Sequence, residues 1–245
     1  MPETPIIELD CIDSTNNYAM QLIDADKAQH GLTIVARSQT VGRGQRGRTW
    51  IDAPGQSLLL TVITTPFQPI GEQFAFNASV TVAIVKVLQY LHNKWEIRIK
   101  WPNDIIIGDK KAGGILIENV LRGSKWAYSV IGLGLNVKQD RFPESLPFAT
   151  SLKIASEREF DVAELGKGIR ENILAEIAIP RTQDVRMNAY NAYLYRKGMQ
   201  QGFSNSTGQW EATILDVRTD GSIRVQLADG QIVFYRHGEV MWDWQ

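Results

Sequence analysis

Residues 72–91, EQFAFNASVTVAIVKVLQYL, constrain the fold more than any other part of the chain. At helical spacing Phe74, Ala78, Val82, Val85 and Leu88 form one stripe, and Val80, Ile84 and Val87 fill the other faces. A helix that is apolar almost all round has no side to offer water, so the pattern predicts a helix buried beneath a sheet. Apolar alternation and β-branched runs predict that sheet's strands at residues 6–9, 33–38, 57–64, 97–101, 115–120 and 126–137, with a short strand just after Asp104. A helix is expected from Thr15, capped by Ser14 or Thr15, with Tyr18, Ala19, Leu22 and Ile23 on one face. Two more are expected at 162–178 and 183–197. Strands and helices mix without a regular βαβ beat, which predicts an α+β fold with a mixed sheet.

After Gly198 the composition changes. MQQGFSNSTG reads as a polar linker, followed by short strands at 213–217, 223–227 and 232–235. Asp220-Gly221 and Asp229-Gly230 between them are hairpin turn signals. The chain is thus expected to divide into a main unit, 1–198, and a small β-barrel-like module, 199–245. The roughly 38 residues beyond the linker are marginal for independent folding and should dock on the main unit.

A net charge of −1 rules out a global electrostatic grip on nucleic acid or anionic membrane. The lone cysteine, Cys11, excludes a disulfide framework and a cysteine-rich zinc site. MPETPIIELD lacks the basic and apolar regions of a secretory signal, and a cytoplasmic protein is expected. Attraction for anions must then be local, and VGRGQRGRTW at 41–50 is its densest source: Arg43, Arg46 and Arg48 alternate with Gly42, Gly44 and Gly47, closing on Trp50. The glycines match the G-x-G-x-x-G dinucleotide fingerprint in form, but 48–55 is poor helix material and that fold is set aside. Single-strand nucleic-acid contact finds no second basic cluster to extend it. Phosphate suits the loop better, with close backbone N–H groups and charge-assisted arginine bonds, while Trp50 stacks on a base.

Lys100-Trp101-Pro102-Asn103-Asp104 ends a strand in a turn, and alone it reads as an Asx turn. Lys111-Ala112-Gly113-Gly114 and Gly132-Leu133-Gly134-Leu135-Asn136 place glycines where a ligand can press on strand backbone. His30, His92 and His237 stand too far apart in sequence for a metal pair on one helix.

Together, Asp13 to Asn16, Gln39 to Trp50, Lys100 to Asp104, Lys111 to Leu116 and Gly132 to Asn136 resemble the biotin–protein ligase family, in its order and spacing. The resemblance implies a class II synthetase-like catalytic domain with a C-terminal SH3-like barrel. It implies activation of biotin by MgATP to biotinyl-5′-AMP, then transfer to a lysine of a biotin carboxyl carrier protein. Lys111, Arg43 and Arg48 would be catalytic. Ser14, Thr15, Asn16, Gln39, Gly42, Arg43, Lys111, Gly113 and Gly114 would bind biotin. Arg46, Arg48, Trp50, Asn103, Lys111, Gly134 and Asn136 would bind the nucleotide, and Asp104 the Mg²⁺. Gln45 departs from the pattern, since many relatives carry arginine there, and this bears on retention of the adenylate. Residues 42–50 are expected to order over the ligand from a poorly ordered empty state. A lipoate–protein ligase and a non-enzymatic biotin sensor are the alternatives. Only 13 residues precede Ser14, so no winged-helix domain and no sequence-specific DNA binding are expected. Related enzymes pair through sheet edges, which leaves a homodimer open.

Overall fold

The computed structural model describes residues 4–243. The chain runs β1 (Ile6–Ile12), α1 (Thr15–Asp24), β2 (Thr33–Gln39), β3 (Ser57–Thr64), α2 (Gln73–Leu91), β4 (Ile97–Lys100), β5 (Asp104–Ile107), β6 (Lys110–Arg122) and β7 (Lys125–Asn136). Then come α3 (Leu152–Ser156), α4 (Val162–Ala178), α5 (Gln183–Ala192), β8 (Gln200–Asn205), β9 (Gly208–Val217), β10 (Ile223–Leu227), β11 (Ile232–Tyr235) and β12 (Met241–Trp242). The fold is α+β, with a seven-stranded mixed sheet in the order β1-β2-β3-β7-β6-β5-β4. Among the described strands of this sheet, β1 and β2 alone pair with each other in parallel, because α1 carries the chain across between them. The remaining pairs are antiparallel.

Every residue of β3 is buried, since both faces of the sheet are covered there. Leu58, Leu60 and Val62 point to the face under α2, α4 and α5, where Phe76, Ile84, Leu88, Ile169 and Tyr190 complete the main core. Ile63 joins Ala19, Ile23, Ile34 and Val130 in a second cluster under α1. The 22 residues Ile70–Leu91 have the length and hydropathy of a membrane span, yet 67% of their most apolar window is buried inside the fold. This is the core helix that the all-round apolar pattern predicts. Asp161 caps α4 through the amides of Ala163 and Glu164, and Ser151 and Thr182 cap α3 and α5.

The structure corrects four expectations. The supposed linker is largely β8: Phe203 is wholly buried and Ser204 beside it is buried too, while Gln200 and Asn205 at the ends reach solvent, so a partly exposed strand had the composition of a loop. The last helix stops at Ala192 rather than 197, because the backbone of Tyr193 and Tyr195 brackets Ile99 as an extra strand-like partner of β4. β6 and β7 form a longer hairpin than expected, turning at Gly123, whose φ of +62° suits glycine. Ser14 stands at the N-cap of α1 but its hydroxyl makes no capping bond.

β8 to β12 form a separate five-stranded antiparallel sheet in the order β11-β10-β9-β8-β12. It is bound tightly to the first. Trp101 donates its indole N–H to Gly221 O at 2.9 Å, and Asn191 exchanges two hydrogen bonds with the backbone of Val217. A Cβ at Gly221 would come within 2.5 Å of the Phe74 ring, so only glycine allows this approach.

Candidate active site

A cleft of about 560 Å³ opens where the two sheets meet. The start of α1, the end of β2, the 42–50 hairpin, the β4–β5 turn, the first half of β6 and the glycines of β7 line it. The second sheet contributes His237, Gly238, Val240, Met241, Trp242 and Asp243.

One end of the cleft holds hydrogen-bonding groups around a single ion pair. Gln39 Oε1 accepts from the Thr15 amide at 2.8 Å and from its hydroxyl at 3.1 Å. The Thr61 hydroxyl stands 2.8 Å from that of Thr15 and 2.7 Å from Asn16 Oδ1. Asn16 lies flat over Gly132, where even a methyl group would overlap its amide. Ser14, with its hydroxyl unused for capping, and Gln39 both line the cleft beside this network.

The other end is cationic. Lys111 Nζ lies 2.7 Å from Asp104 Oδ1. The pairing follows from strand geometry: β5 and β6 shift register between Ile105 and Ile106, and this bulge sets the Lys111 ammonium over Gly114, about a contact distance from where a Cβ there would stand. Lys100 is largely buried and donates to Trp242 O at 3.3 Å, with its ammonium 4.9 Å from the centre of the Trp242 ring. Burial pushes the Lys100 ammonium down to about 8; Asp104 opposes the fall, and the charges of Lys111 and Arg48 add to it. Burial, together with the nearby Arg46 and Arg48, likewise lowers His237.

Residues 42–50 form a closed hairpin. Arg43 bridges Thr49, the Trp50 amide donates to Gly42 O at 2.9 Å, and the Gly44 amide donates to Arg48 O at 2.7 Å. A Cβ at Gly42 would stand 2.5 Å from Trp50 O, so the hairpin neck requires glycine. Arg46, at φ +55°, lays its guanidinium on Gly238 and donates to His237 O, which joins the hairpin tip to the second sheet. The Trp50 ring covers Gly134, where a Cβ would come within 2.6 Å of it.

A model of the biotin/lipoate A/B protein ligase family matches residues 8–136. The chain belongs to this family. Among proteins similar to this family member, the bifunctional ligase/repressor BirA of Bacillus spizizenii is 32% identical over 218 residues, covering 88% of this chain and 61% of that protein. The human biotin–protein ligase is 27% identical over 218 residues, covering 83% of this chain and 29% of the human one. The chain therefore spans about three-fifths of the bifunctional relative. The biotin protein ligase of Aquifex aeolicus, solved in complex with biotin and ATP, matches with a TM-score of 0.80 at 21% identity, over 98% of this chain and 99% of that one. That likeness extends the shared fold to both sheets.

Of the residues the sequence singles out, Ser14, Thr15, Asn16, Gln39, Arg43, Arg46, Arg48, Trp50, Asn103, Asp104, Lys111, Gly114 and Gly134 all line one cleft. Three expected residues do not. Gly42 is the hairpin neck, Gly113 faces away against Gly134 O, and Asn136 lies beneath the cleft donating to Thr150 O at 2.9 Å. Arg43, expected among the charge-neutralising groups, is itself neutralised by both oxygens of Glu118, at 2.8 and 3.1 Å. Asn103 donates its side-chain amide to Ile115 O, which fixes the turn. Among the described residues no three His, Cys, Asp or Glu side chains gather as a metal cluster. Sequence reading missed Glu118, Thr61 and the lining from the second sheet. Glu118 did leave a signal, as the one acid in an otherwise mostly apolar strand run.

Proposed function

We propose that the protein is a biotin–protein ligase, with residues 1–198 as its catalytic unit and 199–245 as a small appended barrel, acting in the cytoplasm. The carrying observation is the polarity of a single cleft, in which amide and hydroxyl groups serve one end and Lys100, Lys111, Arg46 and Arg48 the other. A neutral ureido ring with a carboxylate tail matches that gradient. Gln39, Thr15 and Ser14 bond the ring, Asn16 and Gly132 shape its floor, and the tail reaches Lys111.

In the first step a biotin carboxylate oxygen attacks the α-phosphorus of ATP, the bond to the bridging oxygen breaks, and pyrophosphate leaves. Two anions have to meet, so Lys111 and Arg48 lower the barrier by neutralising charge where it develops. Trp50, resting on Gly134, offers its ring to the base, and the hairpin excludes water from the mixed anhydride. In the second step the neutral ε-amine of a carrier lysine attacks the biotinyl carbonyl, AMP leaves with the bonding pair, and the nitrogen gives up one proton to water as the amide forms. Asp104 would hold Mg²⁺, an ion that needs only one or two carboxylates beside phosphate oxygens and water, so the lack of a three-ligand cluster among the described residues is compatible with it. When bound, the ion would supply charge neutralisation at the phosphates.

Incubation with a purified biotin carboxyl carrier domain, biotin and MgATP tests the reading by mass spectrometry. A biotinyl adduct on one carrier lysine is expected. Lipoyl transfer in its place, with lipoate supplied, would assign the lipoate branch of the family, and no adduct from either acid would defeat the reading.

A further inference from the structure

Glu118 is outside every motif singled out in the sequence, yet it touches both the 42–50 hairpin and the first turn of α1. Its Oε1 accepts from Arg43 Nη2 at 2.8 Å, and its Oε2 accepts from Arg43 Nη1 at 3.1 Å and from Asn16 Nδ2 at 2.9 Å. Arg43 opens the hairpin, one residue past its glycine neck. Asn16 is the floor residue over Gly132, and its amide oxygen meets the Thr61 hydroxyl. Arg43 Nη1 also donates to Asn17 Oδ1 at 2.8 Å, and Asn17 Nδ2 donates to Asp13 Oδ2 at 2.6 Å. The hairpin base is therefore joined to the first turn of α1 twice, directly through Asn17 and through the Glu118 carboxylate to Asn16.

We infer that Glu118 is a positioning residue that latches the 42–50 hairpin to the biotin end of the cleft. The inference rests on the ligase reading for its kinetic consequence but not for its structural one. A bidentate guanidinium–carboxylate pair holds direction as well as distance. With the Arg43 side chains exposed by 39% and Glu118 by 27%, the pair is partly shielded from solvent, and Asn16 ties it to a fully packed strand. Arg43 consequently acts through geometry: its charge is spent on Glu118, and Lys111 and Arg48 are left to meet phosphate. Asn16 at the cleft floor and Arg43 of the hairpin share Glu118 Oε2, so order at one favours order at the other.

Glu118→Gln keeps size and shape and removes the ion pair. Amide hydrogen exchange at 42–50 in the protein without ligand should quicken by about tenfold, the scale of one lost charge-assisted bond. The KM for biotin should rise about tenfold with kcat changing less than about threefold, as for lost positioning of a ground state. Arg43→Met should reproduce both effects, and the double variant should be no worse than either single one, because the two changes break one interaction. Glu118→Asp should recover part of the loss. Unchanged exchange in Glu118→Gln overturns the latch. So does a fall in kcat of about a hundredfold in Arg43→Met with Glu118→Gln silent, since Arg43 would then act on phosphate directly. The exchange measurement needs no turnover, so a failure of the ligase reading is seen separately, as wild-type protein that never activates biotin.

Discussion

The ammonium of Lys111 stands 2.7 Å from the carboxylate of Asp104, on neighbouring strands whose bulge brings both over Gly114. Without ligand the acid holds the lysine in place. In the proposed ligase, bound ATP and biotin would offer the same ammonium phosphate and carboxylate oxygens with no long reorganisation to reach them.

Lys111→Ala should reduce adenylate formation by at least about 10²-fold, the usual cost of one preorganised electrostatic donor. Single-turnover quench measurements with biotin and MgATP check this. Turnover within a few-fold of wild type would remove Lys111 from the chemistry.

Lys100 gives a pH signature in stability. Its folded pKa of about 8 lies below the ordinary 10.5, because burial disfavours the ammonium. Between these values the unfolded chain binds the extra proton, so folding becomes more favourable as pH rises. The strain is fully present below pH 8 and gone above about 10.5, a span of about 3 kcal/mol at most. Urea unfolding of wild type and Lys100→Met across this window should show wild type gaining on the variant. Parallel curves would contradict the burial argument.

Gly132→Ala should weaken biotin binding by at least about tenfold, since the added methyl displaces Asn16 from the floor it shares with Thr61. ATP affinity should hold, because the cationic end is untouched. Titration calorimetry with each ligand separates the two outcomes.

Gln45 lines the cleft, and its Oε1 is buried with no hydrogen-bond partner among the described residues. An arginine there would add a charge-assisted donor to the adenylate phosphate. Gln45→Arg should slow release of biotinyl-5′-AMP by about tenfold, the value of one such bond. The measurement is loss of labelled adenylate from the isolated complex on dilution.

Much of this was legible in the chain itself. Burial of α2 follows from having no polar face, and the Asp220-Gly221 and Asp229-Gly230 turns follow from their two-residue chemistry. Lys111, Asp104, Arg48 and Gly134 could be named because each sits in a short local motif. What stayed hidden is non-local. Phe203 is one aromatic in a run of polar residues, and only the opposing β9 shows that it faces a core. Glu118 is 75 residues from Arg43, and its partner is visible only once β6 lies beside α1 and the hairpin. The lining from 237–243 depends on how the second sheet docks, a contact that no local pattern encodes. The position of Asn136 shows the converse: a residue inside a strong motif can serve packing, here by holding the Thr150 backbone.

The most direct test is biotin-dependent exchange of labelled pyrophosphate into ATP. The account predicts exchange that requires both biotin and Mg²⁺ and proceeds without any carrier protein. A folded protein that binds both substrates yet catalyses no exchange would contradict it.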